Sequence, residues 1–198
     1  MQRSALRRTA IILGAMAAFQ GGLIAILHVF FLRPLFAPLE RTTWLGWTLA
    51  VLVAVLYIVY TVRGLPMVGR YLSRLSAFKL VGLAVAVPAA IVEEVVFRHY
   101  VMNALAANAL AVQIAASAVS FGLAHAFWGL RGGWRAARGA VVSTTLMGAG
   151  LAVVYAVSDR VLLPCVVAHF LITATLEPWL LYAYIERATI AKPVAAAQ

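Results

Sequence analysis

Long apolar runs alternate along the chain with short polar segments, many of them basic. Runs long enough to cross a bilayer, about 20 residues at 1.5 Å each, lie at about 10–32, 44–62, 80–104, 108–128, 139–157 and 161–185. The pattern predicts an all-α fold, a polytopic membrane helix bundle of about six transmembrane helices. Pro34 and Pro38 punctuate the first connection, and "RGGWRAARG" from Arg131 reads as a Gly-rich basic connection between the fourth and fifth spans. A residue before proline resists helix, so Glu177 before Pro178 predicts an interfacial break in the last span. The opening "MQRSALRR", with small residues at Ala15 and Ala17, has the look of a signal peptide. Its apolar stretch continues to Leu32, too long for such a segment, so an uncleaved first span is expected. There is no internal repeat and no soluble domain, and residues 1–198 read as a single transmembrane domain.

Composition agrees. Of the 198 residues 65% are hydrophobic and only 11% charged, with a mean hydropathy of +0.98, far from a soluble composition. The lone Cys165 excludes an intrachain disulfide, and no Cys/His spacing suggests a structural zinc site. A net charge of +10 would point to nucleic acid in a soluble protein, but its placement points to the lipid bilayer instead, and no nucleic acid is expected. If six spans alternate, Arg3, Arg7, Arg8, Arg63, Arg70, Arg74, Lys79, Arg131, Arg135, Arg138, Arg187 and Lys192 fall on one side. Arg33, Arg41 and Arg160 fall on the other. The positive-inside rule then puts both termini in the cytoplasm.

Among the six acids, Glu40, Asp159 and Glu186 sit in loops or at a span's end, and Glu177 sits at the expected break. Glu93 and Glu94 remain, in "AAIVEEVVFRHYV". An ionised side chain at mid-membrane costs about 2.5–3.5 kcal/mol on insertion scales, so such residues face the bundle interior and mark function. Glu94 and Arg98 stand at i and i+4 and can neutralise each other. Glu93, about 100° around the helix, is the carboxylate left over. A purely structural ion cluster accounts for the same charges.

His28 and His99 read as hydrogen-bonded packing residues. His125 in "SFGLAH" and His169 in "PCVVAHFLIT", the latter four residues before Thr173, lie on two further spans. With Glu93 they form a set that activates water, either as a general base pair or as a His₂Glu metal site. Counted from the far ends of their spans, Glu93 lies about twelve residues in, His125 about seventeen and His169 about eight, a depth scatter of about 13 Å. Convergence therefore requires tilt, a kink at Pro88 or different span ends.

Three motifs in order on separate spans resemble the CAAX prenyl protease and bacteriocin-processing (CPBP, or ABI) family of intramembrane endopeptidases. "EEVVFR" at 93–98 fits EExxxR, "FGLAH" at 121–125 fits FxxxH, and "LMGAGLAVVYAVSDRVLLPCVVAHFLIT" at 146–173 is similar to the family's Gly-rich helix, turn and His-bearing last helix. The resemblance implies a catalytic core at about 80–185 and hydrolysis of a peptide bond in a membrane-embedded or lipidated substrate. It assigns Glu93 and His125 to activating the attacking water and Glu94 with Arg98 to positioning. His169 and residue 173 would hold the oxyanion; the family usually has Asn where this chain has Thr173, and a hydroxyl donates one hydrogen bond where an amide donates two. The implied location is the inner membrane of a bacterium or archaeon. No cofactor is favoured; zinc on Glu93, His125 and His169 is the alternative, disfavoured because Glu94, the acid placed to orient an imidazole, is taken up by Arg98. HExxH and GxSxG are absent. The competing function is a non-catalytic membrane protein of the same fold, for immunity or scaffolding, or a small proton-coupled transporter using Glu93, although repeated halves are missing.

Overall fold

The computed structural model describes residues 3–36, 41–74, 76–130 and 133–186. Pro38, Glu40, Arg131, Arg187 and Lys192 lie outside the described residues. Every regular element among the described residues is helical. In order they are α1 (Arg3–Ile26), α2 (His28–Leu32), α3 (Trp44–Gly64), α4 (Pro66–Tyr71), α5 (Ala77–Glu94), α6 (Met102–Ala104), α7 (Leu110–Leu130), α8 (Trp134–Val157) and α9 (Leu163–Leu176). A tenth, α10 (Trp179–Glu186), continues from α9 at a bend of 51°. Among the described residues five helices are long and apolar enough to cross a membrane, six with the bent α9–α10 pair taken as one span, and the chain is an integral membrane protein.

Local chemistry sets the helix starts. The Thr43 hydroxyl accepts from the Gly46 N–H at 2.9 Å, and the Ser76 hydroxyl accepts from the Lys79 N–H at 3.2 Å, each satisfying a donor left over at a helix N-terminus. Pro66 and Pro164 stand in first turns, where no N–H is needed. The basic connection after the fourth span is shorter than expected: α8 begins at Trp134 and carries Arg135 and Arg138 in its first turns.

Inside the bundle α9 packs on α3, α5 and α8, α5 packs also on α1, and α7 and α8 form the tightest pair. That pair is close because its contacts are small. A Cβ on Gly122 of α7 would stand 2.9 Å from the Val141 carbonyl oxygen, so α8 can approach only a glycine there. Val95, Phe121, Leu151, Tyr155, Leu162 and Cys165 fill the core. Leu52, Val55 and Leu56 of α3, with Leu123 and Leu146, stay exposed on the outer surface, as lipid-facing side chains should.

The break before Pro178 occurs where expected, and a cation stabilises it. Lys79, assigned to a loop by charge counting, is 7% exposed in the first turn of α5. Its ammonium donates to the carbonyls of Thr175 at 2.5 Å and Glu177 at 2.8 Å, acceptors that the interrupted helix leaves unpaired. Gly82 lets α5 pass this corner, since a Cβ there would meet the Glu177 carbonyl oxygen at 2.5 Å.

Candidate active site

Glu93 and Glu94 end α5, and the chain then widens into a π-helical segment, Val95–Val101, rather than continuing as regular α-helix. Single π turns of this kind recur at functional sites. The expected Glu94–Arg98 pairing survives the change. Both side chains are fully buried, with Arg98 Nε 2.9 Å from Glu94 Oε2 and Arg98 Nη2 donating to Glu94 Oε1 at 3.4 Å. The 2.9 Å approach is an ion pair outside hydrogen-bond geometry. Arg98 Nη1 also donates to the Ser117 hydroxyl of α7 at 3.0 Å, and its guanidinium lies 4.8 Å from the centre of the Phe121 ring.

Glu94 has a second partner. His169 Nδ1 lies 2.7 Å from Glu94 Oε1, and since a carboxylate only accepts, Nδ1 carries the proton. His125 is oriented the same way, with Nδ1 donating to the Phe121 carbonyl at 2.8 Å. Both rings thus turn Nε2 toward Glu93 Oε2, at 3.5 Å for His125 and 3.8 Å for His169. Phe121 packs beside both imidazoles, 4.5 Å and 5.8 Å between ring centres.

Glu93 contrasts with its neighbour. Its Oε1 accepts from Gln20 Nε2 of α1 at 3.4 Å, and its Oε2 is buried with no hydrogen-bond partner among the described residues. It stands at the wall of a cavity of about 130 Å³ that His125, His169 and Thr173 also line. The lining runs from Glu93 back along Ala89 and Val85 of α5, and from His169 forward through Leu176 to Glu177. The cavity therefore extends toward the end of the bundle where α1, α5 and α8 begin, the end bearing Arg7, Arg8 and Arg135. Thr173 presents its hydroxyl with no hydrogen bond to another described residue.

All six residues expected at the site are brought together or line the same cavity. The depth scatter is resolved largely by α9. The connection before it is tucked in on both sides of the exposed Asp159, with Ser158, Val161 and Leu162 at 0–1% exposure, so α9 starts within the bundle and His169 sits lower than its sequence position suggests. Sequence reasoning missed Ser117 and Gln20. Each is a polar residue within an apolar run; Ser117 also stands four residues before Phe121, continuing the stripe that ends at His125. Thr144 of α8 lines the cavity too, but its hydroxyl donates to the Ala140 carbonyl at 2.7 Å.

Glu93, His125 and His169 have the donor types of a His₂Glu zinc site. Each imidazole does have the outer acceptor such a site requires, which corrects the expectation that Arg98 takes up Glu94 entirely: Glu94 serves Arg98 and His169 together. Among the described residues, however, no group of three or more His, Cys, Asp or Glu side chains is placed to hold a metal ion.

These features define an integral membrane protein with a polar site buried in its helical core. Residues 75–175, about half of the chain and the stretch from the start of α5 through nearly all of α9, match the family model for type II CAAX prenyl endopeptidase Rce1-like proteins, and the chain belongs to that family. At that level it is a CAAX-type intramembrane protease. No curated protein and no solved structure gives a match. Gln20 lies outside the matched stretch.

Proposed function

We propose that the protein is an endopeptidase that hydrolyses a peptide bond of a lipidated or transmembrane substrate with water activated by Glu93 and His125. The observation that carries this reading is Glu93 Oε2, a buried carboxylate oxygen without a hydrogen bond, facing the Nε2 atoms of two imidazoles at the wall of a cavity. A water seated there donates one proton to the carboxylate and one to an imidazole lone pair, and its oxygen gains nucleophilicity as Glu93 takes the proton. Attack on the scissile carbonyl forms a tetrahedral oxyanion. Glu93 then returns the proton to the leaving nitrogen as the carbon–nitrogen bond breaks.

His169 and Thr173 serve the oxyanion. Donation from His169 Nε2 requires the doubly protonated ring, because Nδ1–H is committed to Glu94. The Thr173 hydroxyl supplies one further hydrogen bond. Glu94 and Arg98 act at one remove by fixing the His169 ring. A cavity extending to the basic end of the bundle opens to the cytoplasm under the positive-inside rule. The reading includes the cytoplasmic membrane of a bacterium or archaeon as location, both termini in the cytoplasm, and catalysis without a metal.

The test uses purified protein in detergent and a prenylated peptide carrying a fluorophore and quencher across the bond. The expected result is cleavage that persists after a chelator wash, with zinc well below one equivalent by elemental analysis. One equivalent of zinc whose removal stops cleavage and whose return restores it would recast Glu93 as a ligand. No cleavage of any lipidated or transmembrane peptide would favour a non-catalytic role.

A further inference from the structure

A second polar region lies at the opposite end of the bundle from the start of α1 and takes no part in the chemistry above. It is an open basin of about 840 Å³ between α2 and the residues that follow it, the π-helical segment and the connection from α8 to α9. Arg33, Arg41 and Arg160 all line it, and Asp159, the acid on its wall, forms no ion pair with them among the described residues.

Arg160 is built into place. Its Nη1 donates to Asn103 Oδ1 and its Nη2 to Gln113 Oε1, both at 2.6 Å. Asp159 and Arg160 hold φ of +52° and +59°, a left-handed conformation unfavourable for residues other than glycine, which local packing must maintain. Both partners are neutral, so they orient the guanidinium without cancelling its charge, and three of its five N–H donors remain. Asn103 is fixed in turn by His99 Nδ1 at 3.2 Å and the Tyr155 hydroxyl at 3.4 Å. An oriented arginine backed by two more is the arrangement that recognises phosphate oxygens.

The basin's rim identifies how the phosphate is carried. Val29 and Phe30 of α2, 55% and 59% exposed, line it with apolar surface, and Tyr100 ties this rim down by donating to the Phe30 carbonyl at 3.1 Å. Apolar rim and cationic floor match an amphiphile whose tails lie against Val29 and Phe30. We propose that this basin binds the phosphate of an anionic phospholipid headgroup.

The full-length protein in neutral detergent is titrated with dihexanoyl-phosphatidylglycerol, with inorganic phosphate and with phosphate-free dihexanoylglycerol, followed by native mass spectrometry. Saturable binding of the phosphatidylglycerol is expected, weakened at least tenfold in the double variant Arg33→Gln/Arg41→Gln. Both of these arginines are exposed, so the variant should accumulate normally. Arg7→Gln/Arg8→Gln, at the other end of the bundle, should leave the affinity unchanged. Equal affinity for inorganic phosphate would overturn the lipid assignment, and equal affinity for dihexanoylglycerol would overturn recognition of phosphate. Unchanged binding in Arg33→Gln/Arg41→Gln, or equal weakening by Arg7→Gln/Arg8→Gln, would overturn the site.

Discussion

Glu93 and Glu94 are consecutive residues of one helix, and the regions they face differ in the property that decides what a carboxylate does. Glu94 looks into a closed, fully buried environment shared with Arg98, Ser117 and His169, where Oε1 accepts hydrogen bonds and Oε2, itself without one, is ion-paired with the Arg98 guanidinium. Glu93, 16% exposed, faces the cavity with one oxygen held weakly by Gln20 and the other unpaired before two imidazoles. A helix rotation of about 100° per residue is enough to turn one acid into a closed ion-paired environment and its neighbour to the wall of a cavity. The lesson is that compensation, more than depth in the membrane, separates a supporting charge from a reactive one.

The sharpest way to break the comparison is on the Glu93 side. His125→Ala removes the imidazole lone pair nearer to Glu93 Oε2 and should lower the cleavage rate by about 10²–10⁴-fold, the usual scale of positioned acid–base groups. Membrane accumulation, read by quantitative immunoblot, should stay near wild type, because the ring is 22% exposed and its hydrogen bond stays within its own helix.

On the Glu94 side the effect should be on stability first. Arg98→Met or Glu94→Gln alone strands a buried charge and should destabilise the protein by about 3–5 kcal/mol, seen as a lower unfolding midpoint in detergent. Combining Glu94→Gln with Arg98→Met should recover much of that loss. Its residual activity should still be low, since His169 Nδ1 then faces a neutral amide. Equal midpoints for all three variants would contradict the pairing.

Smaller effects sharpen the boundary between the two regions. Thr173→Val keeps the shape and removes the hydroxyl, and single-turnover cleavage should slow by about a hundred- to a thousandfold, the range for losing one oxyanion donor, while Thr173→Asn should stay active. Gln20→Leu removes a long 3.4 Å hydrogen bond to Glu93. It should reduce kcat by a few-fold with little change in KM, consistent with the modest net value of one such bond.

Much of this arrangement was legible in the sequence. Helical spacing alone paired Glu94 with Arg98 and left Glu93 over, and Pro178 marked the break in the last span. What stayed hidden depends on how helices are rotated and staggered against one another. No local signal says that α9 starts below a buried connection, that Gln20 of α1 faces Glu93, or that Ser117 reaches Arg98. The same limit explains two charges read as loop cations. Lys79 has carbonyl acceptors only because α9 bends beside it, and Arg160 has amide partners only because Asn103 and Gln113, far away in sequence, converge on it. The π-helical turn after Glu94 was equally silent, since nothing in the residues Val95–Val101 separates a π turn from a regular α-helix.

The account's central claim, that Glu93 is the working base because it is the uncompensated acid, is tested most directly by Glu93→Gln. Single-turnover cleavage of the quenched prenylated peptide should fall to background, while the unfolding midpoint stays at or above that of the wild type because Glu93 Oε2 gives up no hydrogen bond. Cleavage at a normal rate by Glu93→Gln, or a collapse in stability like that expected of Glu94→Gln, would contradict it.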